Sequence, residues 1–403
     1  MKLKFNLALI LLATSCAATP IDSWRHNMIT FGHQHCDFLK AAKAQNLYPT
    51  TDPNDDQKRD NVLNASYYDG ERVYFQIADY TGDASWLECA AASEWVYRDR
   101  YIQSVDGQVA GYWNFGRGLF LDLLKTSDQV SGDTLGRLAN DAPWCRGNAY
   151  EFDHLPSNEF SRENAYCLMT FVWWYKLDQL APRMQTYLGF AKGHINNWVS
   201  GAWPLQPFMA ALTAEAMITY YDQVQADPTI PPMIESLARA IWIRWDPQSR
   251  SFWYVEGQHL EGPLTPSPDL NLLIAPLYAW NYSRTGDTWS RDRYDEIFDG
   301  GVSGAYLAGS GKQFNQNYRW SIQGVAWRNA AGFPTVTPTI AATRTRTATA
   351  TRTPTKTAMP SPTATRTPTP TKTATPKPIA TLTTAKRLNR LEVAVFPQGT
   401  PTP

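Results

Sequence analysis

Apolar residues follow two alternating patterns along this chain. Across residues 206–221 nearly every position is apolar, through Phe208, Met209, Ala210, Ala211, Leu212, Ala214, Ala216, Met217 and Ile218, and a helix that is greasy all round must be enclosed by other helices. The next stretch instead spaces Ile234, Leu237, Ala238, Ile241, Trp242 and Trp245 at i, i+3, i+4 and i+7, with Glu235, Arg239 and Arg244 on the other side. That spacing predicts an amphipathic helix with one wet face. The contrast repeats upstream, where residues 165–175 are almost unbroken apolar and Arg183, Gln185 and Lys192 are mixed into the stretch after Asp178.

Each enclosed stretch reaches its amphipathic partner through a short turn marked by an aspartate. Asp83, Asp128, Asp178, Asp227 and Asp287 mark five such turns, 45, 50, 49 and 60 residues apart, which fits one helix-turn-helix unit repeated as an array. Enclosed stretches begin near Tyr67, Trp113, Glu163, Gln206, Asn271 and Gln313. The last has no following partner, so a helix predicted over residues 23–45 is expected beside it, completing six hairpins in a closed all-α toroid. An open solenoid would need polar capping repeats at both ends, and neither end supplies one. In period, turn type and number of hairpins, residues 23–329 resemble the six-hairpin (α/α)6 glycosidase-like superfamily. The resemblance implies an (α/α)6 toroid that binds carbohydrate at one mouth, with a glycoside hydrolase as the first expectation. No catalytic motif of a particular member transfers residue by residue.

If alternate helices all run the same way, the starts of the enclosed helices share one rim. Tyr67, Tyr68 and Arg72 then come from the first, Trp113, Asn114 and Arg117 from the second, and Arg162 from the third. Trp203 and Gln206 belong to the fourth, and Lys312, Gln313, Asn317 and Arg319 to the sixth. Sugars present apolar faces edged by hydroxyls and call for flat rings with fixed donors and acceptors, so these are the candidate substrate-binding residues. Glycoside hydrolysis needs two carboxyl groups flanking the bond. Asp69 and Glu163 are the first pair, each with an arginine nearby, and Glu159 and Asp269 are substitutes. Acids at helix starts also serve as caps, which is the competing reading of all four. Glu215 interrupts an apolar helix and is either a buried acid with a structural partner or a deep site carboxylate. Two alternatives to a hydrolase remain. One is a polysaccharide lyase, in which Tyr67 or Tyr68 moves a proton while Asn317, Arg319, Arg117 or Lys312 neutralises a uronate. The other is a non-catalytic module of the envelope that binds glycan or protein.

The toroid is expected over residues 19–333. Before it, residues 1–18 have the order of an export signal, Lys2 and Lys4 preceding the apolar run 7–13. Either cleavage follows near Ala17 or Ala18, or Cys16 is acylated as in a lipoprotein, and a secreted or envelope-anchored protein is expected. Residues 334–403 are Thr, Pro and Ala with scattered Lys and Arg, a composition that predicts a disordered tail. The formal balance of 37 basic and 37 acidic residues hides a tail of +9 and a body of −11 once the two signal lysines are removed. The tail is read as contacting an anionic envelope polymer or membrane surface, or as a plain spacer. Cys36, Cys89, Cys145 and Cys167 allow three pairings in an oxidising compartment, or stay as four thiols. His33 and His35 face different directions on a helix, so His-x-His-Cys is not taken as a metal site, and no metal or cofactor is expected. The chain lacks a Gly-x-Ser-x-Gly elbow, a phosphate-binding loop and a basic nucleic-acid module. Carbohydrate is the expected partner and nucleic acid is not.

Overall fold

The computed structural model describes residues 18–48, 56–147, 150–254 and 265–330, with the backbone alone at 56–59. The expected export signal at 1–18, apart from residue 18 itself, lies outside the described residues, and so do Cys16 and the tail at 334–403. So does the whole of a second unit, Thr339–Pro403. Every described helix belongs to the first unit, Met1–Pro338.

The described chain is mostly helical. Two helices, α1 (Pro20–Ala44) and α2 (Asp56–Asn64), precede the hairpin α3 (Gly70–Thr81) and α4 (Trp86–Glu94). Next come α5 (Arg117–Thr126) with α6 (Gln129–Asp141), the short α7 (Tyr150–His154), and α8 (Ser161–Asp178) with α9 (Met184–Ser200). They are followed by α10 (Pro207–Gln223) with α11 (Ile230–Trp242), α12 (Asn271–Thr285) with α13 (Thr288–Gly304), and finally α14 (Gly311–Tyr318) and α15 (Ser321–Ala330). Between α11 and α12 lies a two-stranded antiparallel ribbon, β1 (Trp245–Asp246) and β2 (Ser251–Phe252).

The turn aspartates have a common job. Asp83 Oδ1 accepts from the Ser85 N–H at 2.9 Å, Asp128 Oδ1 from Val130 at 2.8 Å, Asp227 Oδ1 from Thr229 at 2.9 Å and Asp287 Oδ1 from Trp289 at 3.1 Å. Each satisfies a donor near the start of the second helix that has no partner within the helix. Asp178 differs: it is the last residue of α8, and Gln179 turns the chain in the left-handed conformation. Gly82, Ser127 and Gly286 do the same after α3, α5 and α12. A left-handed stop followed by an aspartate start is thus the local code of the hairpin.

Burial separates the two classes of helix. Every residue over 207–218 of α10, 271–281 of α12 and 163–173 of α8 is buried. In α11 only Ile230, Ile234, Leu237, Ala238 and Ile241 are, on one stripe. Enclosed helices pack on their successors, α3 on α5, α5 on α8, α8 on α10, α10 on α12, and α12 on both α14 and α15, while α14 also touches α3. Helix α1 packs against α4, α13 and α14. The Trp24 indole donates to Ser321 Oγ at 3.2 Å and the Tyr318 hydroxyl to Trp24 O at 2.9 Å. Disulfides join Cys36 to Cys89, linking α1 with α4, and Cys145 to Cys167, linking the segment after α6 with α8.

Two features depart from the periodic expectation. The last enclosed stretch is broken between α14 and α15 at Arg319 and Trp320. Helix α4 continues as a π-helix, Trp95–Ile102, a rare winding that recurs at functional sites. No helix among the described residues is long and apolar enough to cross a membrane.

His194 ties α9 to the segment after α7. Its Nε2–H donates to Leu155 O at 2.8 Å, and its own carbonyl accepts from Asn158 Nδ2 at 2.9 Å. Burial pushes its pKa from the ordinary 6.5 down to about 4. Because the folded value lies below the unfolded one, the stabilisation from keeping this ring neutral is complete above pH 6.5 and is lost as pH falls towards 4. The loss should reach up to about 3 kcal/mol in denaturant unfolding measured over that window. His194→Gln should flatten the profile, and an equally steep profile in the variant would assign the acid sensitivity to other groups.

Candidate active site

Glu215 stands in the middle of α10, where each neighbour in sequence is apolar, and two arginines explain how it can be there. Arg72 Nη1 of α3 donates to Glu215 Oε1 at 2.7 Å, and Arg319 Nη2 lies 3.1 Å from Oε2. All three side chains are at most 2 % exposed. Burial alone would raise the Glu215 carboxyl, but Arg319 and Arg72 together hold it below its usual range. Burial lowers Arg72, against the pull of Glu215. Arg72 Nη2, Arg319 Nε and Nη1 and Glu215 Oε2 have no hydrogen-bond partner among the described residues, Arg319 meeting Oε2 as an ion pair.

Arg319 connects this cluster to a group of rings at the helix starts. Its guanidinium is 5.9 Å from the Tyr68 ring and 5.5 Å from that of Tyr166 in α8. Tyr67 packs edge-on against Tyr68 at 4.7 Å and Trp113 at 4.4 Å, and Lys312 Nζ lies 5.1 Å from the Tyr67 ring. Arg162 and Glu163 both act electrostatically on the Tyr67 phenol, which burial raises well above its ordinary value. Burial and Arg162 lower Lys312. Arg162 donates to Glu163 Oε1 from Nη2 at 2.9 Å and from Nε at 3.2 Å, while Glu163 Oε2 is buried without a partner among the described residues.

The backbone here is held in an unfavourable shape. Tyr68 and Asp69 are consecutive left-handed residues, with φ of 63° and 66°, a conformation that costs on the order of 1–3 kcal/mol per non-glycine residue. Helix α14 supplies the clamp: Asn315 Nδ2 donates to Ala65 O and Tyr67 O, both at 2.9 Å. On the other side the Asp69 carboxylate accepts from the Gly118 N–H of α5 at 3.2 and 3.3 Å. Gly118 has to be glycine, because a Cβ there would stand 2.5 Å from Asp69 Oδ1. Burial raises the Asp69 carboxyl, and Arg72, Arg319 and the Gly118 bond act against it. The turn carrying Trp113 is fixed from the π-helix, where the Tyr97 hydroxyl donates to Trp113 O at 2.5 Å and accepts from the Phe115 N–H at 2.8 Å.

Tyr67, Tyr68, Trp113, Arg162, Glu163, Lys312 and Arg319 are therefore brought together, with Asp69 and Arg72 behind them. The other candidates have different surroundings. Asn114 bonds Cys145 Sγ and accepts from Thr170, so its amide braces the Cys145–Cys167 disulfide. Arg117 stacks on the Trp173 ring at 5.1 Å and lines a small cavity with Asp222 and Trp320, while its charge still acts on Glu215 and Asp69. Asn317 donates to Gln313 O inside α14, and the Gln313 side chain accepts from Ser310. Asp269 Oδ1 accepts from the Tyr306 N–H at 2.6 Å and latches that loop. Glu159 is exposed, Trp203 is half-buried and Gln206 stands at the N-cap position of α10 without a side-chain capping bond. Cys36 is in a disulfide, His33 stacks on Trp86, and the ring of His35 donates to Leu307 O. No known family, curated protein or solved structure matches the chain.

Tyr166 and Tyr254 belong to the same surroundings and were not among the candidates. Tyr254 meets Phe208 at 4.9 Å and feels the charge of Arg162. Tyr166 lay within an apolar run that reads as core, and Tyr254 follows a ribbon with no helical periodicity. Hollows lined by Ile21, Tyr294 and Phe298, and by Trp174, Leu180 and Pro182, share no residue with the cluster.

Removing one member of a buried ion cluster strands the charge of the others. Glu215→Gln should lower the unfolding free energy by about 3–5 kcal/mol, read from chemical denaturation at neutral pH. An unchanged midpoint would mean that Arg72 and Arg319 are balanced by something other than Glu215.

Proposed function

We propose that this chain is an exported carbohydrate-active protein of six-hairpin (α/α)6 architecture, in the first place a glycoside hydrolase. The observation that carries the reading is the convergence of Tyr67, Trp113, Glu163 and Lys312 from four separate segments of the chain. Flat rings, a half-paired carboxylate and two cations in one buried place suit a ligand with apolar faces and many oxygens. The succession of packed helices from α3 to α14 and back to α3 supports the toroid. The two disulfides support an oxidising compartment, and the basic tail would meet an anionic envelope polymer or membrane surface.

Glu163 and Asp69 are the two carboxyl groups of this reading. One donates a proton to the leaving oxygen while the other activates water or attacks carbon. Arg162 orients Glu163 through two bonds to one oxygen, which leaves the second free for the reacting group. A uronate lyase is the second reading, favoured by Arg162 and Lys312 beside the Tyr67 phenol, where they would neutralise an acidic sugar.

The test is a panel of neutral and uronate-containing glycans, scored for new reducing ends and for the ultraviolet absorbance of unsaturated products. Glu163→Gln and Asp69→Asn should each lower the release of reducing ends by about 100-fold or more, with helicity by circular dichroism unchanged. An asparagine at 69 can still accept from Gly118, so folding is expected to survive. Full turnover in both variants would remove the carboxylate assignment, and unsaturated products would transfer the site to the lyase reading.

A further inference from the structure

Glu71 of α3, Glu94 of α4 and Asp122 of α5 bring carboxylate oxygens within 4.8 Å of one another. Glu71 is 1 % exposed, and neither of its oxygens has a hydrogen-bond partner among the described residues. A lone buried carboxylate is costly unless a counter-charge meets it. The one arginine at the cluster, Arg98, is already shared: it pairs with Glu94, with Asp99 at 2.7 Å, with Asp128 at 2.8 Å and with Asp122 at 3.5 Å. Asp122 also accepts from Ser131 Oγ at 2.7 Å and Thr126 Oγ1 at 3.0 Å, which fix its orientation. Glu71 is left facing Glu94 and Asp122 with no cation in bonding reach among the described residues.

Two local devices keep these acids together. Gly118 leaves space for Glu71, since a Cβ there would come within 2.9 Å of Glu71 Oε2. The π-helix that begins directly after Glu94 carries Arg98 into the cluster, and such windings are frequent at functional sites.

We propose that Glu71, Glu94 and Asp122 bind a hard divalent cation, with calcium preferred. An all-oxygen donor set selects calcium, magnesium or manganese over zinc and copper. The three oxygens lie within 4.8 Å of one another, so one ion bound at about 2.3–2.6 Å can reach them all, and a buried set of three carboxylates suits calcium, which accepts flexible all-oxygen cages, better than magnesium, which dehydrates reluctantly and usually keeps several waters. The ion would join α3, α4 and α5 directly behind the strained Tyr68–Asp69 turn. This inference does not rest on the carbohydrate reading, because metal binding and glycan turnover are measured separately.

The full chain, stripped with chelator, is titrated with CaCl2, MgCl2 and MnCl2 by calorimetry, and its thermal midpoint is recorded with each ion. One calcium per chain, bound about tenfold or more tighter than magnesium, with a raised midpoint, is the expected result. Terbium luminescence sensitised by tryptophan, and quenched by added calcium, gives a second readout. Glu71→Gln and Asp122→Asn should each weaken calcium binding by about tenfold or more, while Asp292→Asn on the surface of α13 leaves it unchanged. No heat and no midpoint shift with any of the three ions overturns the proposal. So does a Glu71→Gln protein that binds calcium as tightly as the parent. Binding of manganese or magnesium without calcium overturns the calcium preference. If a variant fails to fold, the titration of the unmutated chain decides.

Discussion

One carboxylate held by two arginines sets the conditions for the rest of this molecule. Glu215, Arg72 and Arg319 come from α10, α3 and the break between α14 and α15, so a single ion cluster joins three remote parts of the chain. The attraction is strong because the site is dry, and the same dryness makes any unpaired member expensive. The three must therefore arrive together. The break that ends α14 lets Arg319 serve two ends, with its charge on Glu215 and its plane near Tyr68 and Tyr166.

That coupling explains why strain is tolerated next door. A left-handed tyrosine is unfavourable in isolation, yet Tyr68 is bounded by the Asn315 clamp on one side and the Asp69–Gly118 bond on the other. Gly311 adds to the clamp by lying against Ala65, where a Cβ would come within 2.8 Å of the backbone. Rings, acids and bases are thereby presented from helix starts rather than from long loops, and rigid elements hold such groups most accurately.

What could be read from the sequence was what is local. The turn aspartates bond to donors two residues away, so their role is written within a few positions of themselves. The difference between enclosed and amphipathic helices was equally plain in α10 and α11, because periodicity reports the number of wet faces. Pairings over long separations were not legible. Glu215 stood out as an acid in an apolar run, but Arg72 is 143 residues away and nothing near either residue names the other. Asn114 looked like a rim amide, and its use by the Cys145–Cys167 disulfide became visible only once that pairing was known among the three that four cysteines allow. Asp122 interrupts an apolar run in α5 as Glu215 does in α10, a signal that pointed to Glu71 and Glu94 only after the helices were packed.

The Cys36–Cys89 bond has a consequence for the order of assembly. Helix α1 precedes the other described helices, yet Trp24 finds its hydrogen-bond partners at Ser321 and Tyr318, near the end of the described residues. A ribosome releases those partners long after α1, and loop closure over such a distance is slow. Cys89 emerges much sooner. Where thiols can oxidise, the early bond moors α1 against α4, so its greasy stripe of Trp24, Met28 and Leu39 waits in place for the last helices instead of drifting towards other chains.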